Sequence, residues 1–218
     1  VKVEPQRWYY WADKIGMLVW QDMPNMPEYK EVTDEAKAQF HDELQALIEQ
    51  HINSPSIIMW VAFNEAWGQF DTPAVVRFIE ELDPSRLVNN ASGWDDMNVG
   101  DVIDKHEYVG PGIPVPSSGR ASVLGEFGGL GLPIEGHKWD PDRTYDYEMQ
   151  QSVEALQARY LGLIDELDWL MRGGRLSAAI YTQLTDVETE VNGIMTYDRA
   201  VIKMDAETIA AAHHALIE

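Results

Sequence analysis

The chain has 218 residues, 45% hydrophobic and 24% charged, a globular composition whose length suits one domain. Its formal charge of -21 argues against a nucleic-acid partner, since phosphate binding needs a basic patch, and would repel an anionic membrane surface. The absence of cysteine excludes disulfides and thiolate-held metals, and no apolar run approaches the length of a membrane-crossing helix.

Val1–Pro5 reads as the tail of a strand or a loop. Residues 6–15 (QRWYYWADKI) read as a short helix stopped by Gly16. Trp8 and Trp11 on it are expected in the core, as is Trp169 further on. Met17–Trp20 is a short apolar strand ended by Gln21-Asp22-Met23-Pro24. Asp22 there is equally a ligand contact or a loop cap. Thr33 is a good N-cap, and Ala36, Phe40, Leu44, Leu47 and Ile48 follow helical spacing up to Asn53-Ser54-Pro55.

Ser56–Glu65 (SIIMWVAFNE) is an apolar run that ends in an amide and a carboxylate. A carboxylate at the end of a buried strand is costly unless it is solvated, paired or used. Thr72-Pro73 starts a helix with Val75, Phe78, Ile79 and Leu82 on one face. Arg86–Asn90 and Val102–Tyr108 read as strands, and Gly110–Arg120 as a loop. Ala121–Gly128 (ASVLGEFG) repeats the grammar of an apolar run carrying one glutamate. Gly128–Asp142 is Gly- and Pro-rich and reads as a loop. A long helix is predicted over Asp146–Arg172, with Val153, Leu156, Tyr160, Leu163 and Leu167 on one face. A strand over Leu176–Leu184 and a helix over Asp205–Ile217 follow.

Strands alternating with helices predict a mainly parallel α/β sheet. Six strands besides the stub at Val1 are fewer than a (β/α)8 barrel needs, so the expected fold is an incomplete TIM barrel. Two strands that each deliver a glutamate suggest a carboxylate pair across a cleft, the equipment of a glycosidase.

Four stretches carry a resemblance to a known family. Residues 8–24 (WYYWADKIGMLVWQDMP) resemble the second helix and third strand of the catalytic barrel of glycoside hydrolase family 2, the group of β-galactosidases, β-glucuronidases and β-mannosidases. Residues 51–68 (HINSPSIIMWVAFNEAWG) resemble its fourth strand with the Asn-Glu signature. Residues 123–129 (VLGEFGG) resemble the seventh strand with the nucleophile, and residues 181–199 (YTQLTDVETEVNGIMTYDR) the eighth-strand exit. The resemblance implies that residues 1–218 form a partial TIM-barrel domain starting near the end of strand two. Its first strands and any β-sandwich domains would lie upstream of Val1. No signal peptide is visible, which means little in a chain that opens on Val rather than an initiator Met and is expected to start mid-protein. Expressed alone, it would be expected to be unstable or inactive.

By resemblance, Glu65 is the general acid/base and Glu126 the nucleophile of a retaining exo-β-glycosidase. Asn64 would contact the sugar 2-hydroxyl and Tyr108 would hydrogen-bond the nucleophile. His106, two residues before Tyr108 on the same strand face, is expected in the sugar pocket or in a structural hydrogen bond. Trp94 in Ser92-Gly93-Trp94 offers a face for pyranose stacking. Where many family members carry a tryptophan at the end of strand eight, this chain reads Tyr181-Thr182-Gln183, and Tyr181 is the expected substitute. Of the other tryptophans, Trp60 is expected in the core; Trp20, Trp67 and Trp139 sit at strand ends or in loops. His213 and His214 are adjacent on a helix and so make a poor metal pair. No metal or cofactor is expected; the expected partner is a carbohydrate substrate. Alternatives are an endo-acting β-glycanase of a related barrel family and a non-catalytic carbohydrate-binding pseudoenzyme.

Overall fold

The computed structural model describes residues 1–26, 31–108 and 110–217. It divides into two compact units, one of residues 1–104 with 116–121, the other of residues 105–115 with 122–218. Among the described residues no helix is long and apolar enough to cross a membrane.

The first unit opens with α1 (Gln6–Ile15), closed by Gly16 in the left-handed region at φ 76°, its N–H bonding the Ala12 carbonyl. The buried residues of α1 are Tyr9 and Ala12, whereas Trp8 and Trp11 are exposed, against the expectation that they are core. Residues 8–11 are four consecutive aromatics, and successive helix positions turn by about 100°, so one phase takes Tyr9 inward and its neighbours outward. Lys14 lies over the Trp11 ring at 4.8 Å, covering part of that face. Trp169 is likewise exposed, at 66%, with the Arg175 guanidinium over its ring.

Strands β1 (Val19–Asp22), β2 (Ile57–Val61) and β3 (Leu87–Asn89) form a parallel sheet in that order. Helices α2 (Asp34–His51) and α3 (Thr72–Leu82) supply its cover. Thr33 caps α2 by accepting from the Ala36 N–H, and Pro stands in the first turn of α3 as predicted. Phe40, Leu44, Ile48, Val75 and Ile79 meet Ile57, Trp60 and Phe63 in one buried cluster. The predicted helical faces and the apolar strand therefore share a core.

Three parallel strands also organise the second unit: β4 (Val102–Glu107), which begins in the first unit's residues, β5 (Ala121–Gly128) and β8 (Ala178–Thr182). Helix α4 (Val153–Arg172) packs Leu156, Tyr160, Leu163 and Leu167 with Leu124 and Phe127 of β5, and α5 (Ala206–Ile217) adds Ile209. The start of α4 corrects the sequence reading, which placed it at Asp146. Ser152 is the N-cap, accepting from the Ala155 N–H. Residues before it are drawn into a short parallel pair, β6 (Leu130–Gly131) with β7 (Glu148–Met149), inside what read as loop and helix. A non-local pairing here overrides local helix propensity.

All six predicted strands are present, forming open parallel sheets.

Candidate functional site

In the first unit the ladder from β2 continues past its last residue. The Ala62 N–H bonds the Asn89 carbonyl, Ser92 N–H the Phe63 carbonyl, and Glu65 N–H the Ser92 carbonyl, all at 2.8–2.9 Å. Asn64 and Glu65 thus sit at the C-terminal extension of a central parallel strand, where open α/β sheets present their ligands. Glu65 and Ala66 have φ of 52° and 63°, and the Trp67 N–H returns to the Asn64 carbonyl at 2.9 Å. That is a four-residue turn with both central residues left-handed, a form usually made by Asn and Gly. A side chain in that region costs about 1–2 kcal/mol per residue, and strain of this kind concentrates at functional sites.

Asn25 secures the turn. Its side-chain amide donates to the Ala62 carbonyl at 3.1 Å, and its oxygen accepts the Asn64 N–H at 2.8 Å. Sequence reading missed Asn25, because its partners lie nearly forty positions away. Asp104, buried on β4, accepts from Asn89 Nδ2 and Ser92 Oγ, both at 2.7 Å, fixing the segment that carries the Ser92 carbonyl. Asn64 is buried and Trp94 is half-exposed after Gly93, whose φ is 97°.

In the second unit the structure brings His106, Tyr108 and Glu126 together. The Tyr108 hydroxyl donates to Glu126 Oε2, and His106 Nδ1 lies 3.8 Å from the same oxygen. Burial pushes the Tyr108 phenol well above its ordinary range, and the Glu126 charge beside it pushes further, so the phenol stays a donor. The pairing of β5 with β8 explains how Glu126 is aimed. Leu124 pairs with Ala179 but Phe127 pairs with Tyr181, so β5 carries one extra residue around Gly125-Glu126. The bulge resets the alternation, letting Leu124 and Phe127 both face α4 while Glu126 meets Tyr108. Bulges recur next to active sites for this re-aiming.

The Tyr181 ring packs edge-on to Phe127 at 5.5 Å and Tyr160 at 4.8 Å, against the cluster on the α4 side. It pairs with Phe127, and parallel partners share a sheet face, so it follows Phe127 toward α4. An aromatic that sequence reading missed does stand beside Tyr108. Tyr147 stacks on it with centroids 3.7 Å apart and planes within 2°.

Residues 4–112, half of the chain, match the family model described as glycosyl hydrolases family 2, TIM barrel domain. Among solved structures the chain is similar to β-glucuronidase 2 of Bacteroides uniformis at 16% identity and a TM-score of 0.66, over 91% of this chain and 28% of that one. A β-galacturonidase from Eisenbergiella tayi gives 16% identity and 0.66 over 95% and 42%. A β-D-mannosidase from Dictyoglomus thermophilum gives 18% and 0.61 over 91% and 32%. The chain thus spans less than half the length of these proteins, and at such identity the likeness is one of fold. On the match to the family model, the chain belongs to glycosyl hydrolase family 2, within its TIM-barrel domain.

Proposed function

We propose that the protein carrying this chain is a retaining exo-β-glycosidase with Glu126 as nucleophile and Glu65 as general acid/base. The observation that carries the reading is Glu126 itself, turned by a strand bulge onto a phenol donor beside a buried histidine. Family membership and the strained Asn64-Glu65 turn at a strand exit support it.

In the first step the ionised Glu126 attacks the anomeric carbon while Glu65 gives its proton to the departing glycosidic oxygen. The C–O bond to the leaving group breaks and an ester to Glu126 forms. In the second step Glu65, now a carboxylate, takes a proton from water, whose oxygen attacks the same carbon and releases Glu126. Two inversions return the starting configuration. This chemistry needs the two carboxyls about 5–5.5 Å apart. One Glu126 oxygen accepts from the Tyr108 hydroxyl, which orients the carboxylate. Asn64 is assigned to the sugar 2-hydroxyl, Trp94 to stacking, and His106 to the pocket wall beside Glu126. The reaction calls on no cofactor. The expected substrates are terminal β-linked sugars.

Glu126→Ala in the intact protein should abolish turnover of the best nitrophenyl β-glycoside from a panel of sugars. Azide should restore it by attacking from the vacated side, giving the α-glycosyl azide. Undiminished hydrolysis by the variant without azide would remove Glu126 from the role.

A further inference from the structure

The segment between β3 and β4 that carries Trp94 has a backbone that needs outside support. Gly93, Asp95, Asn98 and Gly100 lie in the left-handed region, at φ 97°, 56°, 57° and 76°. At Asp95 and Asn98 a side chain makes that conformation costly. The restraint comes from the carboxylate at the centre of the segment. Asp96 accepts from Asn90 Nδ2 at 2.8 Å, from the Asn98 N–H at 3.2 Å, and from the two terminal nitrogens of Arg120 at 2.9 and 2.5 Å. Asn90 adds to the hold by accepting the Met97 N–H at 3.0 Å.

Arg120 reaches this loop from 24 positions further along the chain and is itself fixed. Its Nη2 also donates to the Val102 carbonyl at the start of β4. The Arg120 side chain is 7% exposed and that of Asp96 18%. The two-pronged pair is therefore largely withdrawn from water, unlike the solvated ion pairs that contribute little. Burial would raise the Asp96 acid, but the donors from Arg120 and Asn90 bring it below the usual carboxylate range.

The loop is tied on its other flank as well. Gln69 Nε2 donates to the Asp95 carbonyl and to Thr72 Oγ1, both at 3.0 Å, joining it to the start of α3. Its first residue, Ser92, offers the carbonyl that accepts the Glu65 N–H at 2.9 Å. Trp94, 46% exposed, thus stands two residues from the backbone that seats Glu65.

We propose that Asp96 is a positioning residue for the substrate: gripped by Arg120, it holds the Trp94 loop in its sugar-stacking form before the sugar arrives. The proposal rests on the reading of Trp94 as the stacking face. A platform already in place spares binding the ordering of the loop, so its loss weakens capture of the sugar rather than the chemical step.

The test uses the intact protein and the nitrophenyl glycoside it turns over fastest. Asp96→Asn keeps the size but sets an amide against the Arg120 fork. It should raise KM about tenfold, the order of one hydrogen bond to a charged group, with kcat nearly unchanged. Hydrogen exchange at the Met97 and Asn98 amides should quicken with it. Arg120→Lys keeps the charge and loses the fork, and should raise KM by a similar factor. Trp94→Ala should raise KM by itself. Adding Asp96→Asn to that variant should change KM by less than about twofold, because no ring is left to position, whereas a general loosening of the fold would add in full. Wild-type KM in Asp96→Asn, or a KM effect that persists undiminished without Trp94, would overturn the proposal. Arg120→Lys, alone and with Trp94→Ala, decides by the same criteria if Asp96→Asn does not fold. Trp94→Ala separates the two failures. If it raises KM while Asp96→Asn and Arg120→Lys do not, only the positioning role falls; if it leaves KM unchanged, the reading of Trp94 falls first and the proposal with it.

Discussion

Asp83 is the anchor of the strand that delivers Glu65, and its removal should loosen that strand selectively. The carboxylate is 1% exposed and accepts from Trp60 Nε1 at 2.9 Å, Arg86 Nη1 at 2.6 Å, Ser85 N at 3.1 Å and Ser85 Oγ at 2.5 Å. Arg86 then reaches the carbonyls of Ile57, Ile52 and Ser54. Burial alone would raise this acid, but the donors from Ser85, Arg86 and Trp60 overcome it and bring its pKa from 3.8 to about 2. That shift is worth roughly 2 kcal/mol of folded-state stability. Asp83→Asn keeps the size and one acceptor and should cost about that much. Asp83→Ala also takes the carboxylate partner from Arg86 and the acceptor from the buried Trp60 Nε1, and should cost about 3–5 kcal/mol. Hydrogen exchange in the intact protein reads this at the amides of Met23 and Ala62, which bond across β1–β2 and β2–β3. Two kcal/mol corresponds to roughly 30-fold faster exchange. Glu80→Gln, on the exposed side of α3, is the control. A depressed folded-state pKa stabilises fully above 3.8 and is lost as pH falls toward about 2. Wild type should therefore lose protection across that window relative to Asp83→Asn. Exchange within threefold of wild type in Asp83→Asn, or identical pH dependence of the two proteins, would refute the anchoring role.

Two further substitutions probe the backbone and a buried charge. At Gly100, φ is 76° and an added Cβ would lie 2.5 Å from the Val88 carbonyl oxygen. Gly100→Ala should thus destabilise the β3 region by about 2–4 kcal/mol, seen as accelerated exchange at the Asp101 amide; a neutral effect would contradict the geometry. Lys203, 1% exposed, donates to Asp186 Oδ1 at 2.7 Å and the Val191 carbonyl at 2.9 Å, so Lys203→Met strands a buried carboxylate. A loss of about 3–5 kcal/mol is expected in urea unfolding of the second unit, and Lys203→Met/Asp186→Leu should recover part of it. A double variant no better than the single would show that the pair's burial is not the source of the cost.

The elements legible in the sequence were those set by local chemistry. Gly16 ends α1 because only the left-handed region closes that helix cheaply, and Thr33 caps α2 through its own hydroxyl. The strand ends bearing Glu65 and Glu126 stood out because an acid terminating an apolar run has no structural motive. What depends on pairing between distant segments was not legible. Residues 146–152 favour helix locally and are held instead by Leu130–Gly131. Tyr181 follows the face of its partner Phe127, which no pattern within β8 discloses.

The same distinction bears on how the glutamates came to be aimed. Regular alternation through Leu124-Gly125-Glu126-Phe127 would put Leu124 and Glu126 on one face, toward α4. A carboxylate there would enter the cluster of Leu156, Leu163 and Leu167 and be uncharged or unfolding. The extra residue in β5 turns it away, and Gly125, without a side chain, is a cheap place for that extra residue. At Glu65 the deviation is a left-handed turn rather than a bulge, and there Asn25 and the Ser92 carbonyl bear the restraint. Both acids stand where the backbone departs from its regular form. In each case the departure is maintained by hydrogen bonds from other segments, not by the residue's own preference. A variant that relaxed either feature without replacing the acid, such as Asn25→Ala, would therefore be expected to lower turnover by misplacing a carboxylate that is still present.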